Sequence, residues 1–134
     1  MPNLFEDAFT DRLDLSSGET AMFLYDLDPD DSLPYHYEYV EEWLLVVDGA
    51  VVVRVPDKEI DLDRGALMRF EPGPRGAHQI INRAAATARV LLFSKATLPS
   101  IGVFPDSGAI GVWPDDGTEL YFKQSDAISR DDVV

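Results

Sequence analysis

"PYHYEYVEEWLLVVDGAVVVRV", residues 34–55, decides the fold. It opens with one histidine, His36, and three carboxylates, Glu38, Glu41 and Glu42, then becomes an apolar run interrupted by Asp48-Gly49. A solvated strand has no need of such a cluster, and a strand buried on both faces excludes it. Side chains alternate along a strand, so His36, Glu38, Glu42, Leu44 and Val46 share one parity and Glu41 takes the other. The stretch reads as an inner wall with its polar residues gathered at one end, which is the layout of a barrel mouth. Asp-Gly between two runs of β-branched residues signals a two-residue type I′ hairpin, with positive φ at both positions.

Outward from this stretch the punctuation is dense. Pro29, Pro56-Asp57, Arg64-Gly65, Pro72-Gly73-Pro74, Pro99, Pro105-Asp106, Pro114-Asp115 and Asp116-Gly117 break the chain into short runs rich in Val, Ile, Leu, Phe and Tyr. Such spacing predicts an all-β sandwich or barrel. Strands are expected over residues 20–27, 35–39, 42–47, 50–55, 59–61, 67–70, 77–82, 89–95, 101–104, 109–112 and 120–123. Residues 56–67 read as a turn, a short strand with Ile60 and Leu62 alternating, and a turn at Gly65. No segment carries a sustained 3.6-residue period, and a single helical turn is expected over residues 5–9. The polar tail frays.

Composition limits the function. A chain of 134 residues fits one domain, expected here over residues 1–134, and is long enough to bury a core without staples. Apolar residues make up 46% and charged residues 27%, so the chain is globular rather than disordered. Cysteine is absent, which rules out disulfides, zinc fingers and thiol nucleophiles. The net charge of −14, with basic residues scattered singly, argues against nucleic acid as a partner. No apolar run reaches membrane-spanning length and no leader is recognisable, so the expectation is a cytoplasmic protein without a membrane partner.

One other histidine exists, His78, which opens "HQIIN" after the rigid turn "EPGPRGA". If the two strands face each other, His36, Glu38, Glu42 and His78 meet. Two imidazoles and two carboxylates form a ligand set suited to a divalent metal. Without metal, the two carboxylates repel and one takes up a proton. Against this stands the bland use of each residue: a structural histidine, an exposed carboxylate. Tyr35, Tyr37, Tyr39 and Trp43 share the parity opposite to His36. One face with that much aromatic surface points to an interface between two copies. Asn82 shares parity with His78 but reads as a residue closing a turn. Arg69 and Arg75 are candidates for holding a substrate carboxylate, with salt bridges as the alternative use. Tyr25, Tyr121, Lys95 and Lys123 are further candidates for acid–base work.

These two segments resemble the two sequence motifs of the cupin superfamily. His36, Glu38, Glu42 and Gly49 hold the spacing of the first, and Gly65, the turn over 72–76, His78 and Asn82 follow the second. Residues 50–64 fit the hairpin that separates the motifs in small cupins. "FPDSGAIGVW", residues 104–113, is similar to a downstream stretch of a group of small single-domain bacterial cupins. The resemblance implies a double-stranded β-helix, or jelly-roll barrel, with its core at about 20–95, C-terminal strands over 100–123 and a tail over 124–134. It also implies a divalent metal centre (Mn, Fe, Ni or Zn), a small-molecule ligand and a homodimer. His36, Glu42 and His78 match metal-ligand positions. Glu38 stands where the family has its second histidine. As an oxygen donor it shifts preference toward Mn²⁺, Fe²⁺ or Mg²⁺; alternatively it leaves the site metal-free and binds substrate itself. Three functions remain open: a metal-dependent enzyme acting on a small polar molecule, a binding or sensor module without catalysis, and an interaction protein with a hydrated mouth.

Overall fold

The computed structural model describes residues 1–8 and 11–134. Twelve strands make up the described residues' regular structure: β1 (Arg12–Asp14), β2 (Thr20–Leu27), β3 (Tyr37–Glu38), β4 (Glu42–Asp48), β5 (Ala50–Val55), β6 (Lys58–Asp63), β7 (Leu67–Phe70), β8 (Gln79–Ile81), β9 (Ala88–Lys95), β10 (Ser100–Phe104), β11 (Ala109–Trp113) and β12 (Leu120–Lys123). They form three antiparallel sheets, in the orders β1-β2-β9-β4-β7, β6-β5-β8 and β12-β11-β10-β3. Isolated bridges at Ser32–Ile81 and His36–His78 link the second sheet to the third through residues 32–38. The result is the all-β barrel expected from the turn spacing, in the jelly-roll form that the resemblance implied.

Alternation builds the core. On β4, Leu44 and Val46 are fully buried, while Trp43 and Leu45, of opposite parity, are half-buried. They pack with Val90 and Leu92 of β9 against Val51, Val53 and Ile80 of the three-stranded sheet. The opposite side of the five-stranded sheet carries a second apolar cluster around Leu24, Val47 and Leu91, partly covered by Leu4, Leu13 and Leu15. Arg89 ties that N-terminal segment down. Its guanidinium makes two bonds to Asp26, at 2.7 and 2.9 Å, and donates to the carbonyls of Leu4 and Asp7.

Three expectations change. Asp48-Gly49 is not a type I′ hairpin: Gly49 has φ of 76° but Asp48 has no positive φ. β4 pairs with β7 and β9, while β5 pairs with β6 and β8. The dipeptide therefore carries the chain from one sheet to the other, next to a bulge between Val46 and Asp48. The genuine tight hairpin is β5–β6, with Val55 opposite Lys58 across Pro56-Asp57. Second, the strand expected over 35–39 shrinks to β3, because the chain bends at Tyr39 and Val40 before β4. That bend divides the aromatic stripe. Tyr35 lies under the Arg54 guanidinium, Tyr37 meets Tyr39 edge-on, and Trp43 stacks on Phe93. Third, the tail forms two exposed single 3₁₀ turns, Gln124–Asp126 and Arg130–Asp132. The helical turn expected over 5–9 runs onto Phe9, outside the described residues; nearby, the amides of Glu6 and Asp7 both donate to the Asn3 carbonyl.

Candidate metal centre

The two histidines are set beside each other by the backbone. The amide of His36 donates to the carbonyl of His78 at 3.1 Å, and the amide of His78 donates back at 3.0 Å. Residues exchanging both bonds across an antiparallel pair project their side chains on the same face. The rings lie 4.9 Å apart between centroids. Glu42, first residue of β4, reaches this pair from the five-stranded sheet, its Oε1 2.7 Å from His78 Nε2. One ligand atom each from His36, Glu42 and His78 lies within 4.8 Å of the others.

Each imidazole is oriented the same way. His36 Nδ1 lies 3.1 Å from the Pro34 carbonyl, and His78 Nδ1 lies 2.8 Å from the Gly76 carbonyl. A carbonyl only accepts, so both Nδ1 atoms carry the proton and both Nε2 atoms face the cluster. A carbonyl on the far nitrogen is the usual way a metal-binding histidine is held in its tautomer. Phe70 stacks on His78 at 3.7 Å, and Phe104 lies against His36 at 5.8 Å. Phe70 also lines a cleft of about 620 Å³ with Ile60, Met68, Arg75 and Gly76.

The turn that delivers His78 tolerates no side chain at Gly76. Pro74–Gly76 is a 3₁₀ turn, and a Cβ on Gly76 would lie 1.7 Å from the Glu71 carbonyl oxygen. Gly73, at φ 85°, donates its amide to the Glu38 carbonyl, so the turn is fastened to β3.

Glu38 stands beside the cluster but outside the three-residue group. Its carboxyl is pushed up to about 7, chiefly by burial and then by the charge of Glu42, with His78 opposing. Burial and the neighbouring His78 push His36 down, and burial pushes the Tyr25 hydroxyl up. Tyr25 packs against the buried core and feels the charge of Arg12 and, more weakly, those of Glu42 and Glu38.

The donor set fits a divalent metal: two Nε2 lone pairs and a carboxylate, held by carbonyls and ring stacking. It also satisfies itself without one. With Nδ1–H given to Gly76, the 2.7 Å contact of His78 to Glu42 requires a shared proton, from an imidazolium or from a carboxyl. Metal binding would displace that proton.

Other candidates fall elsewhere. Glu41 leaves the cluster, bonding Trp43 Nε1 and Arg69 on the outer side. Asn82 is fully buried and closes a turn, as its bland reading had it: Nδ2 donates to the Leu27 and Ala86 carbonyls, and Oδ1 accepts from the Ala84 amide. Lys95 and Lys123 are exposed strand ends. Phe104, Trp113, Gly102 and Gly111 were not among the residues singled out from the sequence. The signal was available in "IGVF" at 101–104 and "IGVW" at 110–113, where a glycine sits inside each strand with no turn to make.

The family described as "Cupin domain" matches residues 23–94. A tetracenomycin polyketide synthase protein, TcmJ, from Streptomyces glaucescens is 35% identical over 79 residues, covering 57% of this chain and 52% of that protein. The chain thus spans about half the length of this curated relative. A cupin-superfamily sugar phosphate isomerase from Silicibacter pomeroyi superposes with a TM-score of 0.79 at 21% identity, over 90% of this chain and 80% of that one. The polyketide cyclase RemF from Streptomyces resistomycificus superposes with a TM-score of 0.58 at 18% identity, over 66% of this chain and 67% of the other. At these identities the two structures speak for the fold.

Proposed function

The chain belongs to the cupin family, and from that premise we propose that it binds a divalent metal, one of Mn, Fe, Ni or Zn, at His36, Glu42 and His78, and through it binds or transforms a small molecule. The observation that carries this reading is the convergence of three donors from separate segments of the chain, with both histidine Nδ1 atoms held by backbone carbonyls. A metal there supplies Lewis acidity toward a bound oxygen or activates water or O₂. Glu38, held near neutral pH in its titration, supplies a proton acceptor or donor beside the bound molecule, or a further oxygen ligand. A sugar phosphate isomerase and polyketide proteins among the similar structures and relatives support a small-molecule substrate of one of those kinds.

The whole chain is taken as one cupin domain over 1–134, working in the cytoplasm. We propose a homodimer through the outer face of the five-stranded sheet, where Met22, Leu45 and Phe93 are half-buried and Leu67 is 57% exposed. Among the described residues no helix is long and apolar enough to cross a membrane.

Thermal melting in Mn²⁺, Ni²⁺ or Zn²⁺ and in chelator tests the metal. A ligand that binds only the folded state raises the melting temperature. The wild type is expected to respond and the His36→Ala/His78→Ala double variant not to respond. A second reading, a metal-free binding module, draws on the His78–Glu42 contact, which leaves the cluster satisfied. Equal melting in metal and in chelator would favour it.

A further inference from the structure

The last strand carries more apolar surface than its own sheet covers. β12 is exposed at every position, with Leu120 at 45%, Tyr121 at 56% and Phe122 at 53%. It ends the order β12-β11-β10-β3, so among the described residues no strand lies along its outer edge. A free edge with three large apolar side chains is a template for another strand. Register shows what each face carries. Leu120 stands opposite Val112, and Val112 opposite Ile101. Phe122 stands opposite Ile110, Ile110 opposite Val103, and Val103 opposite Tyr37. Two apolar rows therefore cross one face of the sheet and run out at β12 with no charge among them. Tyr121 and Lys123 take the other face. Glu119 joins them there, its Oε2 3.5 Å from the Tyr121 hydroxyl.

Backbone phase decides which residues of β12 can accept a neighbour. The Gln124 amide donates to the Gly108 carbonyl at 2.8 Å, in the register that continues as Lys123–Ala109 and Phe122–Ile110. Every second pair of an antiparallel ladder exchanges bonds, so Phe122 and Leu120 turn their N–H and C=O toward β11. Tyr121 and Lys123 turn theirs outward, and Glu119 follows the same alternation. An antiparallel copy of the strand centred on Tyr121 meets this phase. Tyr121 then pairs with the partner's Tyr121, and Glu119 with the partner's Lys123, the second of these twice by the two-fold axis. Between them Leu120 meets the partner's Phe122, also twice, and both apolar rows run on into the second sheet. Neither Glu119 nor Lys123 has an ion pair within the chain among the described residues. A parallel copy in register would instead set glutamate against glutamate and lysine against lysine.

We propose that β12 joins the same strand of a second copy of this chain, antiparallel about Tyr121, so that two four-stranded sheets run on as one. This surface is a sheet edge, separate from the face of the five-stranded sheet proposed above for the homodimer, and it does not depend on the metal reading. Four residues on each side make a small contact, well short of a standard interface, so the association is weak and depends on concentration.

Sedimentation velocity of the full chain over a range of concentrations tests this. The wild type should gain mass as concentration rises. Glu119→Lys and Lys123→Glu each set like charges against one another at both pairs, and each variant alone should associate at least tenfold more weakly. Mixed in equal amounts, the two should associate as the wild type does. In the mixed pair the introduced lysine faces the introduced glutamate, and the native pair remains at the other end. Both variants keep a strongly negative net charge, starting from −14, so general attraction cannot bring them together. Both positions are exposed, so the melting temperature should stay that of the wild type. If the five-stranded sheet also associates, the single variants stop at the dimer while the wild type and the mixture go further. A wild type that stays monomeric, single variants that associate as the wild type does, or a mixture no stronger than its components overturns the proposal. Association through the five-stranded sheet alone gives the second of these results.

Discussion

Glu38 concentrates the chemistry at the scale of single residues. Its carboxyl holds its proton up to about pH 7, while an unfolded chain releases it in the ordinary carboxyl range. The sign follows: this residue's stabilising contribution is complete at acid pH and is lost as pH rises through 7. In chelator, the wild type should lose up to about 3 kcal/mol between pH 5 and 8 that Glu38→Gln does not lose. Denaturant unfolding at several pH values measures this, and equal slopes for the two proteins would remove Glu38 from the buried cluster. Asn82 offers a structural contrast. Asn82→Ala strands two carbonyls and one amide that it now satisfies, a loss of about 2–4 kcal/mol in urea unfolding. Metal stoichiometry should be unaffected. The cluster was largely legible in sequence, because parity put His36, Glu38 and Glu42 on one side and only His78 could join them. Whether Glu38 lies inside the ligand group or beside it was not legible, since that depends on a few ångströms of side-chain placement across the bend after β3.

At the scale of elements, the Pro74–Gly76 turn decides whether the histidines meet. Gly76→Ala places a methyl on the Glu71 carbonyl and must displace either the turn or His78. A loss of about 3 kcal/mol or more is expected, together with lost metal binding. A variant that melts like the wild type and still binds metal would show the turn to be adaptable. Most strands could be read because apolar alternation and turn residues agree locally: β2, β5, β7 and β12 have the expected ends. What escaped was non-local. β1 has three residues and exists through its pairing with β2. Asp48-Gly49 looks like a hairpin because a dipeptide carries no information about which sheet the next strand will join. The Gly102–Gly111 pair under the Trp113 indole appears only once register sets the two glycines side by side.

At the scale of the molecule, the jelly roll brings the ends of distant segments to one interior point: residue 36 to residue 78 by a backbone bridge, and residue 42 to both from the opposite sheet. The fold is held at a second place by Arg89 and Asp26, whose ion pair is 13% and 11% exposed and anchors the N-terminal segment. Asp26→Asn removes the carboxylate that makes two bonds to the buried Arg89 guanidinium, and about 3 kcal/mol should be lost, read as a lower denaturation midpoint. Loss of the N-terminal anchor also exposes Leu24 and Leu91, on the face proposed for dimerisation, so this variant should self-associate more strongly in sedimentation. The central claim, however, concerns the donors at the barrel mouth. Elemental mass spectrometry of the untagged protein, after incubation with a mixture of divalent ions and desalting, tests it most directly. About one Mn, Fe, Ni or Zn per chain, absent from the His36→Ala/His78→Ala variant, is the expected result; a metal-free wild type, or a variant that keeps its metal, would contradict it.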